Sequence, residues 1–148
     1  MYKTILVPFD GSKRAERILR HVEELAERCE AGLVLLTIVE PPAFAIGSEG
    51  IPVTVYHQEV EQSVDEAVAY PKALQGEFRA KGVEARTRVT RGPVVQAILD
   101  AAEEEDADLI ALATHGRTGL SRVFHGSVAA GLLRGADRSQ FLVRSQYD

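Results

Sequence analysis

The chain has 148 residues, of which 45% are hydrophobic and 26% are charged, and its formal net charge is −5. This length suits one domain over residues 1–148, with enough apolar side chains to bury a core. The negative balance argues against broad binding to nucleic acid, which requires a basic surface, and no apolar run approaches the roughly 18 residues of a membrane span.

The first part of the chain is predicted to form a strand, a helix and a second strand. An apolar run over Tyr2–Phe9 is broken by Pro8 and ends at Asp10, which is not the layout of a signal peptide, so we expect a cytoplasmic protein. Apolar residues recur every three or four positions over Ser12–Glu30 and predict an amphipathic helix. The run Leu33–Val39 is apolar and rich in β-branched residues, as in a parallel strand covered on both faces.

The middle of the chain is predicted to hold a long loop, a second helix and an edge strand. Prolines and glycines break every pattern across Glu40–His57, a loop length typical of functional lids and of mobile connections alike. Residues Gln58–Lys81 follow a helical pattern, in which Pro71 predicts a kink or a division near Tyr70. Apolar and charged residues alternate over Val83–Val89, which indicates an edge strand with one wet face.

The last part of the chain adds two helices and two strands. Gly92–Pro93 opens a third helix, and the acidic run Glu103–Asp106 at its end is interpreted as a solvated face. A fourth, uniformly apolar strand covers Leu109–Ala113. A last helix is predicted over Ser127–Arg134 and a short strand over Phe141–Arg144.

This alternation predicts an α/β fold with an open five-stranded parallel sheet, in the order 3-2-1-4-5, and helices on both faces. Such a three-layer sandwich is Rossmann-like or flavodoxin-like. Ligands of these sheets bind beyond the carboxyl ends of the strands, where the direction of the crossovers reverses. Here that position lies between strands 1 and 4.

A Gly-rich basic loop leads from strand 4 to a helix start at Gly126–Ser127. Because a helix N-terminus carries unpaired N–H groups and a partial positive charge, this arrangement predicts a phosphate site. Ser127 suits a helix cap and a phosphate ligand equally well. Asp10 suits a turn or a contact to ribose hydroxyls, and the backbone of residues 37–39 is placed to receive the edge of an adenine.

Several enzyme classes find no support in the sequence. It has no Walker P-loop, no G-x-G-x-x-G after strand 1 and no G-x-S-x-G elbow. His115 and His125 match no zinc spacing, so we expect no protein-held metal and name no catalytic residue. Without a general base, the sequence favours binding over fast turnover.

These residues resemble the universal stress proteins (UspA-like) of the adenine nucleotide alpha hydrolase-like superfamily, over essentially the whole chain. The resemblance is carried by Ile5–Ser12, by Asp108–Gly116 and by the spacing from Gly116 to Gly126–Ser127. That spacing resembles the motif G-x2-G-x9-G-[ST] of the ATP-binding branch. Ala113 stands where the motif has its first Gly, and we expect its methyl group to weaken binding rather than to prevent it.

The resemblance implies a bound ATP with Mg²⁺ carried on its phosphates. The implied adenine and ribose contacts are Pro8, Asp10 and Ile38. The implied ribose and phosphate loop comprises Ala113, Thr114, His115, Gly116, Arg117, Thr118 and Gly119. The implied phosphate end comprises Gly126, Ser127, Val128 and Ala129.

The resemblance also implies a homodimer that pairs through the last strand, although Gln140 stands where the family often has Pro. The function expected is a regulatory ATP-binding dimer of the stress response, with neither nucleic acid nor membrane as a partner. One alternative is a nucleotide-free dimeric scaffold of the same family. Another is a slow ATPase or self-phosphorylating protein with Ser127 or Thr114 as the acceptor.

Overall fold

A computed structural model describes residues 1–9, 16–39, 69–115 and 126–145. The strands are β1 (Thr4–Phe9), β2 (Gly32–Val39), β3 (Ala85–Arg91), β4 (Leu109–His115) and β5 (Ser139–Ser145). The helices are α1 (Glu16–Cys29), α2 (residues 69–80), α3 (Val94–Glu104) and α4 (Gly126–Gly135). The predicted alternation of strands and helices is therefore confirmed in the described part of the chain.

The five strands form one parallel sheet in the order β3-β2-β1-β4-β5, as predicted. Strand β1 lies between β2 and β4, so the crossovers turn one way from β1 to β3 and the other way from β1 to β5. The alternating strand β3 is an edge, as its pattern predicted. The reversal point expected to bind ligands therefore lies at the carboxyl ends of β1 and β4.

Helices cover both faces of the sheet, which explains why the three central strands are apolar at nearly every position. Successive residues of a strand point to opposite faces, and the buried residues accordingly divide into two clusters. One cluster joins the sheet to α1 and α2 through Ile5, Val7, Ile18, Val22, Leu74 and Phe78. The other joins it to α3 and α4 through Leu6, Leu36, Ile98, Ile110 and Leu132.

The interruption predicted at Pro71 does not divide the described part of α2. Residues 69–80 are helical throughout, and Pro71 is buried among them. Its ring thus contributes apolar surface to the packing of α2. The predicted loop Glu40–His57 and the predicted start of this helix at Gln58 lie outside the described residues.

The acidic end of α3 is not simply a solvated face. Glu105 forms an ion pair with Arg86 at 2.9 Å, and Arg88 reaches both Glu104 and Glu105. The hydrogen bond from Arg88 to Glu104 raises the pKa of this guanidinium, with a smaller contribution in the same direction from Glu105. Carboxylates at a helix C-terminus interact unfavourably with the helix dipole, and the ion pairs with the arginines of β3 offset this interaction. The same ion pairs link the edge strand to α3.

Three helices end in the same backbone arrangement. After each last turn stands a residue with positive φ, namely Glu30 (54°), Gly82 (83°) and Asp106 (53°). The next residue in each case donates its N–H to the carbonyl five positions earlier, at 2.9 Å. This is the Schellman closure, in which a left-handed residue lets orphan carbonyls of the last turn find partners.

We predict that Glu30→Gly stabilises the protein by up to about 1 kcal/mol. A residue with a side chain costs about 1–2 kcal/mol at positive φ, and Gly removes this cost. Gly also gives the unfolded chain more conformational freedom, which offsets part of the stabilisation. Glu30 is exposed, so the substitution removes little packing. Urea denaturation measures the difference. The reverse change, Gly82→Ala, meets no atom within 4 Å and should destabilise through φ alone. Equal midpoints for Glu30→Gly and the unaltered protein would contradict the prediction.

Candidate functional site

Among the described residues, β1 extends to Phe9 and β2 extends to Val39 at the carboxyl edge of the sheet. Pairing between them stops at Phe9 opposite Thr37, whereas β2 stays paired with β3 as far as Val39 opposite Arg91. Backbone groups of successive strand residues face opposite neighbours. One of the two residues Ile38 and Val39 therefore directs its N–H and C=O toward the β1 side, where no described residue pairs with it.

Strand β1 also falls short of β4. Their pairing stops at Leu6 opposite Ile110, whereas β4 stays paired with β5 up to its last residue. Three residues further along each strand, Phe9 stands level with Ala113. The backbone of Thr114–His115 therefore projects beyond the end of β1.

The two offsets create a notch that we call the β1 recess, with Phe9 as its floor and Ile38–Val39 and Thr114–His115 as its walls. Each described wall extends two residues, about 7 Å, beyond Phe9, and the two walls stand two strand spacings, about 10 Å, apart. Pro8 lies directly below the floor and lacks an N–H, so β1 has one donor fewer where pairing with β4 has ended. The recess coincides with the reversal point of the crossovers.

Helix α4 directs its N-terminus toward the same edge. Its C-terminal end lies at the opposite edge, where Gln140 at the start of β5 donates its side-chain N–H to the Leu132 carbonyl at 2.9 Å. There Ala136 shares a surface depression with Asp108. The described first turn, which begins at Gly126, carries no acidic residue, and its N–H groups and partial positive charge therefore suit an anion.

Close contact with α3 sets the position of α4. A methyl group added at Gly131 would lie 3.0 Å from Val95 Cγ2, and one added at Gly135 would lie 3.0 Å from Leu99 Cδ1. The two glycines therefore let the helices approach more closely than side chains would allow. Sequence reasoning did not identify this role, although the spacing Gly-x3-Gly on one helix face was a usable signal.

Asp108 joins β1 to β4 at the edge opposite the recess. Its carboxylate accepts the N–H of Lys3 at 2.8 Å on one oxygen and the N–H of Thr4 at 3.1 Å on the other. Its own N–H donates to the Thr4 carbonyl at 3.0 Å. This arrangement, which we call the Asp108 clamp, sets the start of β1 against β4. Sequence reasoning noted Asp108 only as part of the family resemblance.

The structure brings together a large part of the predicted site. Around the β1 recess lie Pro8, Ile38, Ala113, Thr114 and His115, and in the first turn of α4 lie Gly126, Ser127, Val128 and Ala129. Nothing tests their contacts to a ligand, so the site assignment stays a prediction. Five further predicted residues, Asp10, Gly116, Arg117, Thr118 and Gly119, lie outside the described residues.

Ala113 has an ordinary strand backbone, because the described residues with positive φ other than glycine are Glu30 and Asp106. Its side chain is 2% exposed and belongs to the core cluster on the α1 side of the sheet. The methyl group that distinguishes this chain from the G-x2-G motif therefore packs within the core. Because the φ of Ala113 is not in the left-handed region, its side chain causes no backbone strain.

Within residues 1–9, 16–39, 69–115 and 126–145, no three His, Cys, Asp or Glu side chains lie close enough to hold a metal ion. The same ranges contain no helix that is both long enough and apolar enough to cross a membrane.

Comparison with known proteins places these features in a family context. The family model described as the universal stress protein family matches residues 1–144. Among curated relatives, universal stress protein MJ0531 of Methanocaldococcus jannaschii is 29% identical over 140 residues, which cover 92% of this chain and 78% of the relative.

Solved structures share the fold. The structure of protein MJ0577 of the same organism has a TM-score of 0.82 at 22% identity, with 100% of this chain and 99% of that chain covered. A universal stress protein solved in complex with cAMP has a TM-score of 0.60 at 25% identity, with 98% of each chain covered.

We predict that Asp108→Ala lowers the free energy of unfolding by about 1–3 kcal/mol, because the N–H groups of Lys3 and Thr4 lose a charged acceptor. Urea denaturation measures the loss, and faster hydrogen exchange at Lys3 and Thr4 locates it. The control is Asp137→Ala at the same edge, since that carboxylate is exposed and pairs only with the adjacent Arg138 among the described residues. Equal stabilities of the two variants would contradict the clamp.

Proposed function

We propose that this chain, which belongs to the universal stress protein family, binds an adenine nucleotide in the β1 recess and acts as a nucleotide-regulated protein of the stress response. The family match confirms the resemblance on which the sequence analysis relied. The observation that carries the proposal is the recess itself, where backbone donors and acceptors at the end of β2 have no partner on the β1 side among the described residues. The neighbour in complex with cAMP supports an adenine nucleotide as the ligand class.

The parts of the recess suit the parts of ATP. A planar base fits between the walls and can hydrogen-bond to the unpaired backbone of Ile38 or Val39, because adenine carries both donors and acceptors on its edge. The first turn of α4, Gly126–Ala129, offers N–H groups without a nearby carboxylate in that turn to repel phosphates. We assign the ribose to Asp10, and Mg²⁺ to the phosphates rather than to protein ligands.

The proposal treats ATP as a regulatory ligand. No described observation favours turnover, and neither the slow ATPase nor the self-phosphorylating protein with Ser127 or Thr114 as acceptor is preferred. The binding experiment below distinguishes this ATP-binding protein from the alternative, a nucleotide-free scaffold. A cytoplasmic location, and the absence of nucleic acid and membrane partners, remain predictions from the sequence.

We further propose that two copies pair through β5. In the described sheet, β5 is hydrogen-bonded to β4 alone, so its outer backbone edge has no strand partner there. Leu142 on β5 is 40% exposed, and Leu133 on the neighbouring α4 is 61% exposed. A second copy would cover both the edge and these apolar side chains, in agreement with the dimer that the family resemblance implies.

We predict that Gly126→Val abolishes ATP binding, because a branched side chain at the start of α4 blocks the approach of phosphates to its N–H groups. Native mass spectrometry of the freshly purified protein and calorimetry with Mg-ATP measure the loss. The matched control is Gly76→Val in α2, where an added Cβ meets no atom within 4 Å. Lack of binding by the unaltered protein at millimolar ATP would overturn the proposed function, and unchanged affinity of Gly126→Val would place the phosphates elsewhere.

Ala113→Gly tests the departure of this chain from the G-x2-G motif. Because the Ala113 methyl packs in the core, its removal should lower stability by about 0.5–1 kcal/mol and change ATP affinity less than about threefold. A clear gain in affinity would show instead that this methyl crowds the nucleotide, as the motif comparison suggested.

We predict that Leu142→Glu converts a dimer into a monomer, because the new carboxylate would be buried against its symmetry mate without a partner. Size-exclusion chromatography with light scattering measures the mass. Val89→Glu on the other edge strand is the matched control, since Val89 is 39% exposed and should leave the dimer intact. A monomeric unaltered protein, or a dimeric Leu142→Glu variant, would contradict pairing through β5.

A further inference from the structure

Strand β3 directs part of its backbone away from the sheet. The Glu84 carbonyl, just before the strand, accepts the N–H of Leu33 on β2 at 2.9 Å. Because the backbone groups of successive strand residues point to opposite sides, those of Ala85, Thr87 and Val89 point away from β2. In the described sheet β3 pairs with β2 alone, so these groups form its outer edge. Backbone groups at such an edge are a template for pairing with a strand of another chain.

A side chain of α2 occupies the first of these edge groups. Gln75 donates its side-chain N–H to the Ala85 carbonyl at 3.0 Å. Leu74 and Phe78 of the same helix are buried in the core cluster on this side of the sheet, so α2 holds Gln75 in place. A strand of a second copy would have to displace this amide before it could bond to Ala85.

Ion-paired arginines stand beside the same edge. Arg86 and Arg88 alternate with the edge groups along β3, and both form ion pairs with Glu105 at the end of α3. The Arg86 side chain keeps 56% of its surface exposed. A second strand against β3 would take this guanidinium partly out of water, and two β3 strands side by side would bring like charges together. Both effects oppose pairing.

The other edge strand, β5, has a different composition. Its middle residues Phe141, Leu142 and Val143 are all apolar, and Leu142 is 40% exposed. Pairing through β5 therefore covers apolar side chains, whereas pairing through β3 would displace an amide and desolvate a charge.

We propose that Gln75 and Arg86 block the outer edge of β3, so that copies of this chain pair through β5 alone and assembly stops at the dimer. This inference rests on the pairing through β5 that forms part of the proposed function. Symmetric pairing through β5 joins two sheets into one and leaves a β3 strand at each end. If β3 could pair as well, dimers would add end to end without closure.

The double variant Gln75→Leu/Arg86→Thr tests this block in the full chain. It removes the side-chain donor and the exposed guanidinium, while Arg88 still provides a partner for Glu105. Sedimentation velocity should show species larger than a dimer, whose share rises with protein concentration and falls on dilution. Circular dichroism and the urea unfolding midpoint show that the associating protein is folded. Gln75→Leu alone retains the ion pairs and should show the same association at higher concentration.

The matched control is Gln96→Leu/Arg28→Thr, which should remain a dimer. It removes a glutamine hydrogen bond to Asp100 and an ion pair to Glu24, both on helix surfaces. Folded Gln75→Leu and Gln75→Leu/Arg86→Thr variants that stay dimeric at every concentration would overturn the inference. Equal association of the control would overturn it too, because the effect would then not belong to the edge of β3.

Adding Leu142→Glu to the double variant identifies the strand that pairs. With β5 disabled, the triple variant should form a dimer through β3, whereas Leu142→Glu alone should be a monomer. A monomeric triple variant would overturn the inference. A monomeric unaltered protein would contradict pairing through β5, but the freed β3 edge would still have to make the Gln75→Leu/Arg86→Thr variant dimerise.

Discussion

The candidate site depends on the register of one short central strand. The Asp108 clamp sets the start of β1 against β4 at one edge of the sheet, and the described part of β1 spans six residues. Because both neighbours run further in the described part of the chain, the β1 recess lies at the centre of the sheet rather than at its rim. The position of the recess at the carboxyl edge of the sheet thus depends on the hydrogen bonds of Asp108 at the opposite edge.

The second half of the site follows from helix packing. The start of α4 faces the recess because the helix runs antiparallel to the strands that it covers, and its distance from α3 is set by Gly131 and Gly135. The same cluster of buried residues that holds α4 also contains Ile38 of the recess wall. The proposed contacts to base and to phosphate therefore share one rigid layer of the core, which favours simultaneous rather than independent binding of the two ends of a nucleotide.

Sequence reasoning succeeded where burial alone sets the pattern. Uniformly apolar runs identified the central strands, and the alternation of Val83–Val89 identified an edge, although β3 in fact spans Ala85–Arg91. Features that depend on register or on long-range pairing could not be read from the chain. The recess arises from unequal strand ends, and the Asp108 clamp joins groups more than a hundred positions apart. The ion pairs of Arg86 and Arg88 with α3 likewise link residues whose local patterns indicated only solvated faces.

The walls of the recess consist of backbone at Ile38–Val39 and Thr114–His115, and every amino acid except proline supplies the same N–H and C=O there. Mutation can therefore exchange the side chains around such a pocket while its hydrogen-bonding surface persists. Under the proposed function, related chains can differ in these side chains and still offer the same backbone groups to a ligand. The TM-score of 0.82 at 22% identity shows that the fold itself persists at such divergence. Searches for conserved side chains would underestimate how widely such a pocket occurs.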